Sequence, residues 1–110
     1  MKLNIYDKKN ITKTYETDYY NVEFWIIEDL LKIINVDDLN SLSKKDITFA
    51  IAKTIPKSLG VFKHILKDVF EGLQDEELRH VRIKEIVDVV FQIIIFAMQD
   101  IGLSDEEEKN

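Results

Sequence analysis

Residues 83–101 read IKEIVDVVFQIIIFAMQDI and carry the strongest structural signal in the chain. Between Ile86 and Met98 only Asp88 and Gln92 are polar, and they lie four residues apart, on one narrow stripe of a helix. A helix that is apolar on its other sides must be buried on most of them. Either shorter helices enclose it, or one of its faces is left for self-association or for an apolar helical partner. We expect some of each.

The residues before this stretch carry helix signals of their own. Ser43 and Asp46 have the spacing of a capping box, and Pro56 interrupts the helix that they open. Gly72 and Gly102 are typical helix stops. With the spacing of the apolar residues, these signals predict helices over about residues 21–34, 43–55, 56–71, 75–80 and 83–101.

The third of these helices has the pattern of an ordinary amphipathic helix. Leu59, Phe62 and Leu66 fall on its apolar side. His64 and Asp68 are four residues apart on the polar side, where we expect them in water.

Two stretches of alternating polarity flank the polar residues 7–10 near the N-terminus. Leu3 and Ile5 share one side of the first stretch, and Ile11 and Tyr15 share one side of the second. This pattern predicts a short β-hairpin. Because a two-stranded hairpin is only marginally stable by itself, we expect it to lie against the helices or to pair with another chain.

The predicted class is therefore mainly α, a compact bundle of four to five helices with an N-terminal β-hairpin over about residues 2–16. A chain of 110 residues is long enough for one domain with one core. We predict a single helical domain over residues 1–103 and an acidic tail over residues 104–110.

Most of the net charge of −6 lies near the end of the sequence. Residues 1–99 hold 14 basic and 16 acidic side chains, whereas residues 100–110 hold one lysine and five acids. No continuous basic face is evident, so nucleic acid is not an expected partner. The absence of cysteine excludes disulfides and thiol nucleophiles.

No segment of the sequence predicts export or membrane insertion. The first residues lack the apolar run of a signal peptide. The longest apolar stretch, residues 89–98, is about half the length that a bilayer requires. We expect a protein of the cytoplasm, with no membrane partner.

Trp25 has an unusual position on the first predicted helix. It shares a face with the polar residues Glu28, Asp29 and Lys32. Either the hairpin or another helix covers it, or it contacts a partner, since tryptophan is enriched among interface anchors.

The sequence favours neither catalysis nor a bound cofactor. Glu77 and His80 form one Glu-x-x-His pair, but di-metal helical bundles need two such pairs and two further glutamates. No nucleophilic triad, phosphate-binding glycine loop or dinucleotide fingerprint is present. We therefore predict a protein that is not an enzyme, without metal or cofactor.

These features resemble the small tail assembly chaperones of long-tailed (siphovirus-type) bacteriophages that infect Gram-positive bacteria. The resemblance covers most of the chain, and its most specific part is Val69–Leu78, which reads VFEGLQDEEL. The other matching segments are Thr14-Tyr15, Ala52–Pro56, Ile65–Leu73 and Ile83–Phe96.

The resemblance implies a binding role in tail morphogenesis. Such chaperones coat the long, apolar, largely helical tape measure protein, keep it soluble, and give way as tail tube subunits assemble. It further implies a homo-oligomer, an open helical or ring assembly, in the host cytoplasm and absent from the mature virion. The alternative is a tail-completion or connector subunit that remains in the virion.

Surplus hydrophobicity, rather than a motif, suggests which residues contact the client or another copy. On this ground the candidates are Trp25, Val89, Phe91 and Ile93.

Overall fold

The computed structural model describes residues 1–18, 22–33 and 43–100. In these residues the chain forms five α-helices and a two-stranded antiparallel hairpin. The predicted class, a mainly helical compact bundle with a short N-terminal hairpin, is confirmed. In chain order the elements are β1 (Lys2–Asp7), β2 (Asn10–Glu16), α1 (Phe24–Ile33), α2 (Lys44–Thr54), a 3₁₀ turn (Ile55–Lys57), α3 (Leu59–Val69), α4 (Asp75–Leu78) and α5 (Ile83–Asp100).

Local signals in the sequence set the two ends of α2. Ser43 caps its N-terminus, because the backbone N–H of Asp46 donates to Ser43 Oγ at 3.2 Å. Pro56 lacks the N–H that a continuing helix requires, so the chain changes to the 3₁₀ turn. Both predicted boundaries are confirmed. The helix residues predicted at 21, 34 and 101 and the predicted acidic tail lie outside the described residues.

Gly72 turns the chain between α3 and α4. Its φ of +89° lies in the left-handed region, which a residue with a Cβ adopts only under strain. The next residue, Leu73, returns to the core. A full capping box then opens α4: Gln74 accepts from the backbone of Glu77, and the Gln74 N–H donates to Glu77 Oε1 at 3.0 Å.

Helix α5 lies at the centre of the core, and α2, α1 and β1 pack on it. Its buried side chains form one broad stripe: Ile86, Val87, Val89, Val90, Ile93, Ile94 and Ala97. The other side is covered less completely, since Phe91, Ile95 and Phe96 are half-buried and Ile83 is exposed. The single molecule therefore encloses a wide part of α5 but not all of its apolar surface.

The hairpin has a bulge that changes which residues face the core. Ile5 pairs with Lys13 and Tyr6 pairs with Ile11, so Thr12 is the extra residue of β2. This extra residue reverses the alternation, and Ile11 moves to the face opposite Leu3 and Ile5. Ile11 is 54% exposed as a result. The prediction that Ile11 and Tyr15 share one side is therefore wrong.

Glu77 of α4 joins the hairpin to the helices. The Tyr15 hydroxyl donates to Glu77 Oε1 at 2.5 Å, and Lys13 Nζ lies 3.3 Å from Glu77 Oε2. The same Tyr15 hydroxyl lies 3.2 Å from the carbonyl of Gly72. The hydrogen bond from Tyr15, with the Gln74 N–H and Lys13, lowers the pKa of Glu77 below its ordinary value of 4.5.

Glu85 of α5 holds β1 in a similar way. Its carboxylate accepts from the Asn4 backbone N–H at 2.9 Å and from the Tyr6 hydroxyl. The Tyr6 backbone N–H donates to the His80 carbonyl at 3.0 Å, and the Arg82 guanidinium lies 3.9 Å from the centre of the Tyr6 ring. The outer edge of β1 is thus bonded to the α4–α5 junction, and the hairpin lies against the helices.

We predict that Glu77→Gln lowers the free energy of unfolding at neutral pH. We also expect the free energy of unfolding of this variant to change less than that of the wild type as the pH falls into the acid range. A carboxylate whose folded-state pKa is lowered stabilises the fold above its unfolded value of 4.5, and that contribution is lost as the pH falls through the folded value. Urea unfolding midpoints, measured at neutral pH and below pH 4.5, test this expectation.

Glu76→Gln is the matched control, because Glu76 lies on the same short helix but its side chain is 74% exposed. We expect it to change neither the midpoint nor the acid dependence. Equal midpoints for Glu77→Gln and Glu76→Gln at neutral pH would contradict the role given to Glu77.

Candidate functional site

An apolar groove lies on the surface between α2 and the first half of α5. Its volume is about 710 Å³, and its floor and walls are mostly hydrocarbon. Phe49 and Ile83 line it although their side chains are 65% and 56% exposed. We call this cleft the α2–α5 groove. The residues that line it are Lys45, Asp46, Thr48, Phe49, Ala52, Ile83, Lys84, Val87 and Asp88.

The α2–α5 groove, at 710 Å³, is nearly twice the volume of either of the two other depressions described below. It forms because small side chains lie at its floor while larger ones stand at its sides. Ala52 comes one turn after Phe49 on α2, and Val87 comes one turn after Ile83 on α5. A volume of this order accommodates several apolar side chains of a docked helix.

Sequence reasoning missed Phe49 and Ile83, although the sequence holds a signal for Phe49. Ile47 and Ile51 are buried and four residues apart, so they mark the core side of α2. Phe49 is two residues from each of them in the sequence, which corresponds to about 200° around the helix axis. Its side chain therefore lies on the outer side of α2. A phenylalanine on the polar side of an amphipathic helix is the feature to look for.

Lysines surround the apolar part of the α2–α5 groove. Lys45 and Lys84 line it, and Lys53 Nζ lies 5.5 Å from the centre of the Phe49 ring. Two acids, Asp46 and Asp88, line it as well. With these three lysines and two aspartates, the rim of the groove is slightly positive. The net charge of the whole chain, by contrast, is −6.

A second, smaller groove of 380 Å³ lies between α3, α4 and α5 and meets the first at Ile83, which lines both. Leu59 lines this second groove and is 55% exposed, so the predicted apolar side of α3 is left uncovered at this residue. Leu59 is the first residue of α3, and the buried side chains of this helix begin at Phe62. The apolar surface thus continues from Phe49 through Ile83 to Leu59.

Two of the four residues suggested as contacts, Val89 and Ile93, are fully buried. They lie on the stripe of α5 that faces the core, so in this fold they have no surface to offer a partner. The suggestion is corrected for these two residues, because apolar composition alone does not distinguish the enclosed side of α5 from the open one.

The third suggested contact, Phe91, is half-buried at the edge of the core. Lys44 Nζ of α2 lies 5.3 Å from the centre of its ring, which places the ammonium group within cation–π distance. Phe91 does not line either groove.

Trp25, the fourth suggested contact, is half-buried and packs against the core. The centre of its ring lies 4.6 Å from the centre of the His64 ring on α3, and the two planes are tilted by 31°. Its Nε1 donates to Glu23 Oε1 at 3.0 Å. These contacts agree with the expectation that another helix covers Trp25, and they account for its place on a polar face.

Loss of hydration raises the pKa of Asp68 on α3 above its ordinary value of 3.8, and the neighbouring carboxyl group of Glu23 acts in the same direction. Loss of hydration is the largest cause, while His64 acts in the opposite direction. The cluster of Glu23, Trp25, His64 and Asp68 therefore ties the start of α1 to α3.

The side chains of Glu77 and His80 make contacts with other residues of the fold. Both oxygens of Glu77 already have partners on the hairpin and in the α4 capping box. His80 Nε2 lies 3.9 Å from Glu76 Oε1 at the surface. Within residues 1–18, 22–33 and 43–100, no cluster of three or more histidine or acidic side chains has the geometry to hold a metal ion.

A polar depression of 390 Å³ lies between β1 and α5. Its acidic residues include Glu85, whose carboxylate accepts from Asn4 and Tyr6 of the hairpin. The bond to Glu85 also raises the pKa of Tyr6 above 10.0. The depression thus belongs to the contact that holds β1.

No helix in the described part of the chain has both the length and the apolar character to cross a membrane. Comparisons of this chain with protein-family models, with curated proteins and with solved structures gave no match.

Proposed function

We propose that this chain is a bacteriophage tail assembly chaperone that binds the tape measure protein and keeps it soluble during tail morphogenesis. The role is one of binding, without catalysis or a cofactor, and it is carried out in the host cytoplasm. The observation that carries the proposal is the α2–α5 groove, where Phe49 and Ile83 leave an apolar cleft open on the surface.

An apolar groove between two helices suits a helical client. An amphipathic helix binds such a groove through apolar side chains that recur every three or four residues. Phe49 and Ile83 stand at the sides of the groove, and the surface continues to Leu59 in the adjoining groove. The client class is therefore a helix with a continuous apolar stripe, as expected of the tape measure protein.

Many weak sites along one client produce strong binding. Each groove is small, but a long helical client carries many apolar segments along its length. Several copies bound to one client therefore bind it more strongly than one copy does. A coat of this kind also separates the apolar stripes of neighbouring clients. The proposed coat is a homo-oligomer whose contacts are open rather than those of a closed dimer.

Co-expression with the long helical tape measure protein tests the proposal. We expect the client to become soluble and to co-purify with the chain, and to precipitate when it is expressed alone. A client that is equally insoluble in both cultures would overturn the proposal.

Purified virions distinguish the chaperone from the alternative, a connector or tail-completion subunit. A chaperone leaves before the tail is complete, so we expect mature particles to lack the chain. Its presence in stoichiometric amount would favour the structural role.

A further inference from the structure

The lysines around the α2–α5 groove have no acidic partner in the described part of the chain. No ion pair within 4.0 Å involves Lys45, Lys53 or Lys84 there. By contrast, Asp46 of the rim accepts a hydrogen bond from the Ser43 hydroxyl at 3.0 Å. The groove therefore combines an open apolar floor with cations that are available to an acidic ligand.

Residues 101–110 of the sequence have the complementary composition. They read IGLSDEEEKN, with the apolar Ile101 and Leu103 followed by four consecutive acids and one lysine. The charge of this segment is −3, from those four acids and Lys109. Apolar side chains next to a run of carboxylates match an apolar groove with a lysine rim.

The chain after α5 is too short to bring Leu103 to Ile83 of the same molecule. Helix α5 rises about 1.5 Å per residue, so Asp100 lies about 26 Å along the helix axis from Ile83 in the groove. Leu103 is three residues beyond Asp100, a reach of about 11 Å. The groove that Leu103 can enter is one on a second copy.

We propose that residues 101–110 of one copy bind the α2–α5 groove of the next copy. Leu103 packs against Phe49 and Ile83, and the acids that follow it lie beside Lys45 and Lys84. The contact joins two different surfaces, so it repeats from copy to copy and generates an open chain. The self-contact rests on the proposed function in one respect: the segment and a client helix compete for the same groove, so this contact joins copies that have not yet bound the client.

A charge exchange in the full-length chain tests the contact. The tail variant is Glu106→Lys/Glu107→Lys/Glu108→Lys, and the groove variant is Lys45→Glu/Lys84→Glu. Sedimentation and light scattering measure the self-association of each. We expect each variant alone to associate at least about tenfold more weakly than the wild type, and an equimolar mixture of the two to regain association.

Lys8→Glu/Lys9→Glu is the matched control for the groove variant, because both lysines are exposed in the hairpin turn. It changes the net charge equally, and we expect it to associate like the wild type. Circular dichroism checks that every variant keeps its helix content.

Three results from the full-length chain would overturn the inference. They are a wild-type chain that is monomeric at high concentration, a tail variant that associates like the wild type, and a mixture of the two variants that does not regain association. A synthetic peptide of residues 101–110 that fails to bind the groove would do the same.

Solubilisation of the client is measured separately from self-association. If tail variants solubilise the client and associate normally, the inference fails while the proposed function stands. If the charge exchange succeeds and the client stays insoluble, the proposed function fails while the self-contact stands.

Discussion

Replacing Ile93 with alanine lowers the free energy of unfolding by about 2–5 kcal/mol. Ile93 has no exposed surface and lies on the stripe of α5 around which the other elements pack. Alanine removes three carbon atoms from this position, and the surrounding side chains can fill the cavity only in part. Urea unfolding followed by circular dichroism measures the change.

Ile83→Ala is the matched control, since it makes the same substitution on the same helix. Ile83 is 56% exposed, so we expect its free energy of unfolding to change by no more than about 0.5 kcal/mol. The two variants also separate the roles of the two residues. A Ile93→Ala variant with wild-type stability and impaired self-association would contradict the placement of Ile93 in the core.

If the proposed function holds, we expect Phe49→Glu to weaken binding to the tape measure protein by about tenfold to a hundredfold. The aromatic ring is an exposed apolar surface in the α2–α5 groove, and glutamate would place a charge against the apolar stripe of the client. The fold should tolerate the change, because glutamate at this position can pair with Lys53 four residues later on the helix. The soluble fraction of the co-expressed client measures the loss.

Phe24→Glu is the control for Phe49→Glu. Phe24 is the first residue of α1 and is 73% exposed, and it lines neither groove. An acid at the start of a helix is also compatible with the helix dipole. We expect wild-type solubilisation from this variant. Equal losses from both variants would mean that general surface hydrophobicity, rather than the groove, binds the client.

The elements of the fold could be predicted because their signals are local. The cap at Ser43 and the break at Pro56 act within one turn of the backbone, and the buried stripe of α5 reflects the apolar run between Ile86 and Met98. The hairpin was predicted from alternation, but its bulge was not, since a single extra residue at Thr12 leaves little trace in the pattern.

The candidate site was predicted less well. Surplus hydrophobicity on α5 suggested Val89 and Ile93, which the neighbouring elements enclose, whereas the open apolar surface lies at Phe49, Ile83 and Leu59. Trp25 was recognised as unusual, and its contact with His64 on α3 explains why. A periodic pattern shows which side of a helix is apolar, but not which part of that side a neighbour covers.

The class of the protein follows from the amino-acid sequence alone: helices with capped ends, an N-terminal hairpin and one strongly apolar helix. These features follow from interactions between residues a few positions apart. Which apolar side chains stay in contact with water is set by the packing of the helices against one another. That outcome depends on how α2 and α5 meet, with Ala52 and Val87 too small to close the cleft between Phe49 and Ile83.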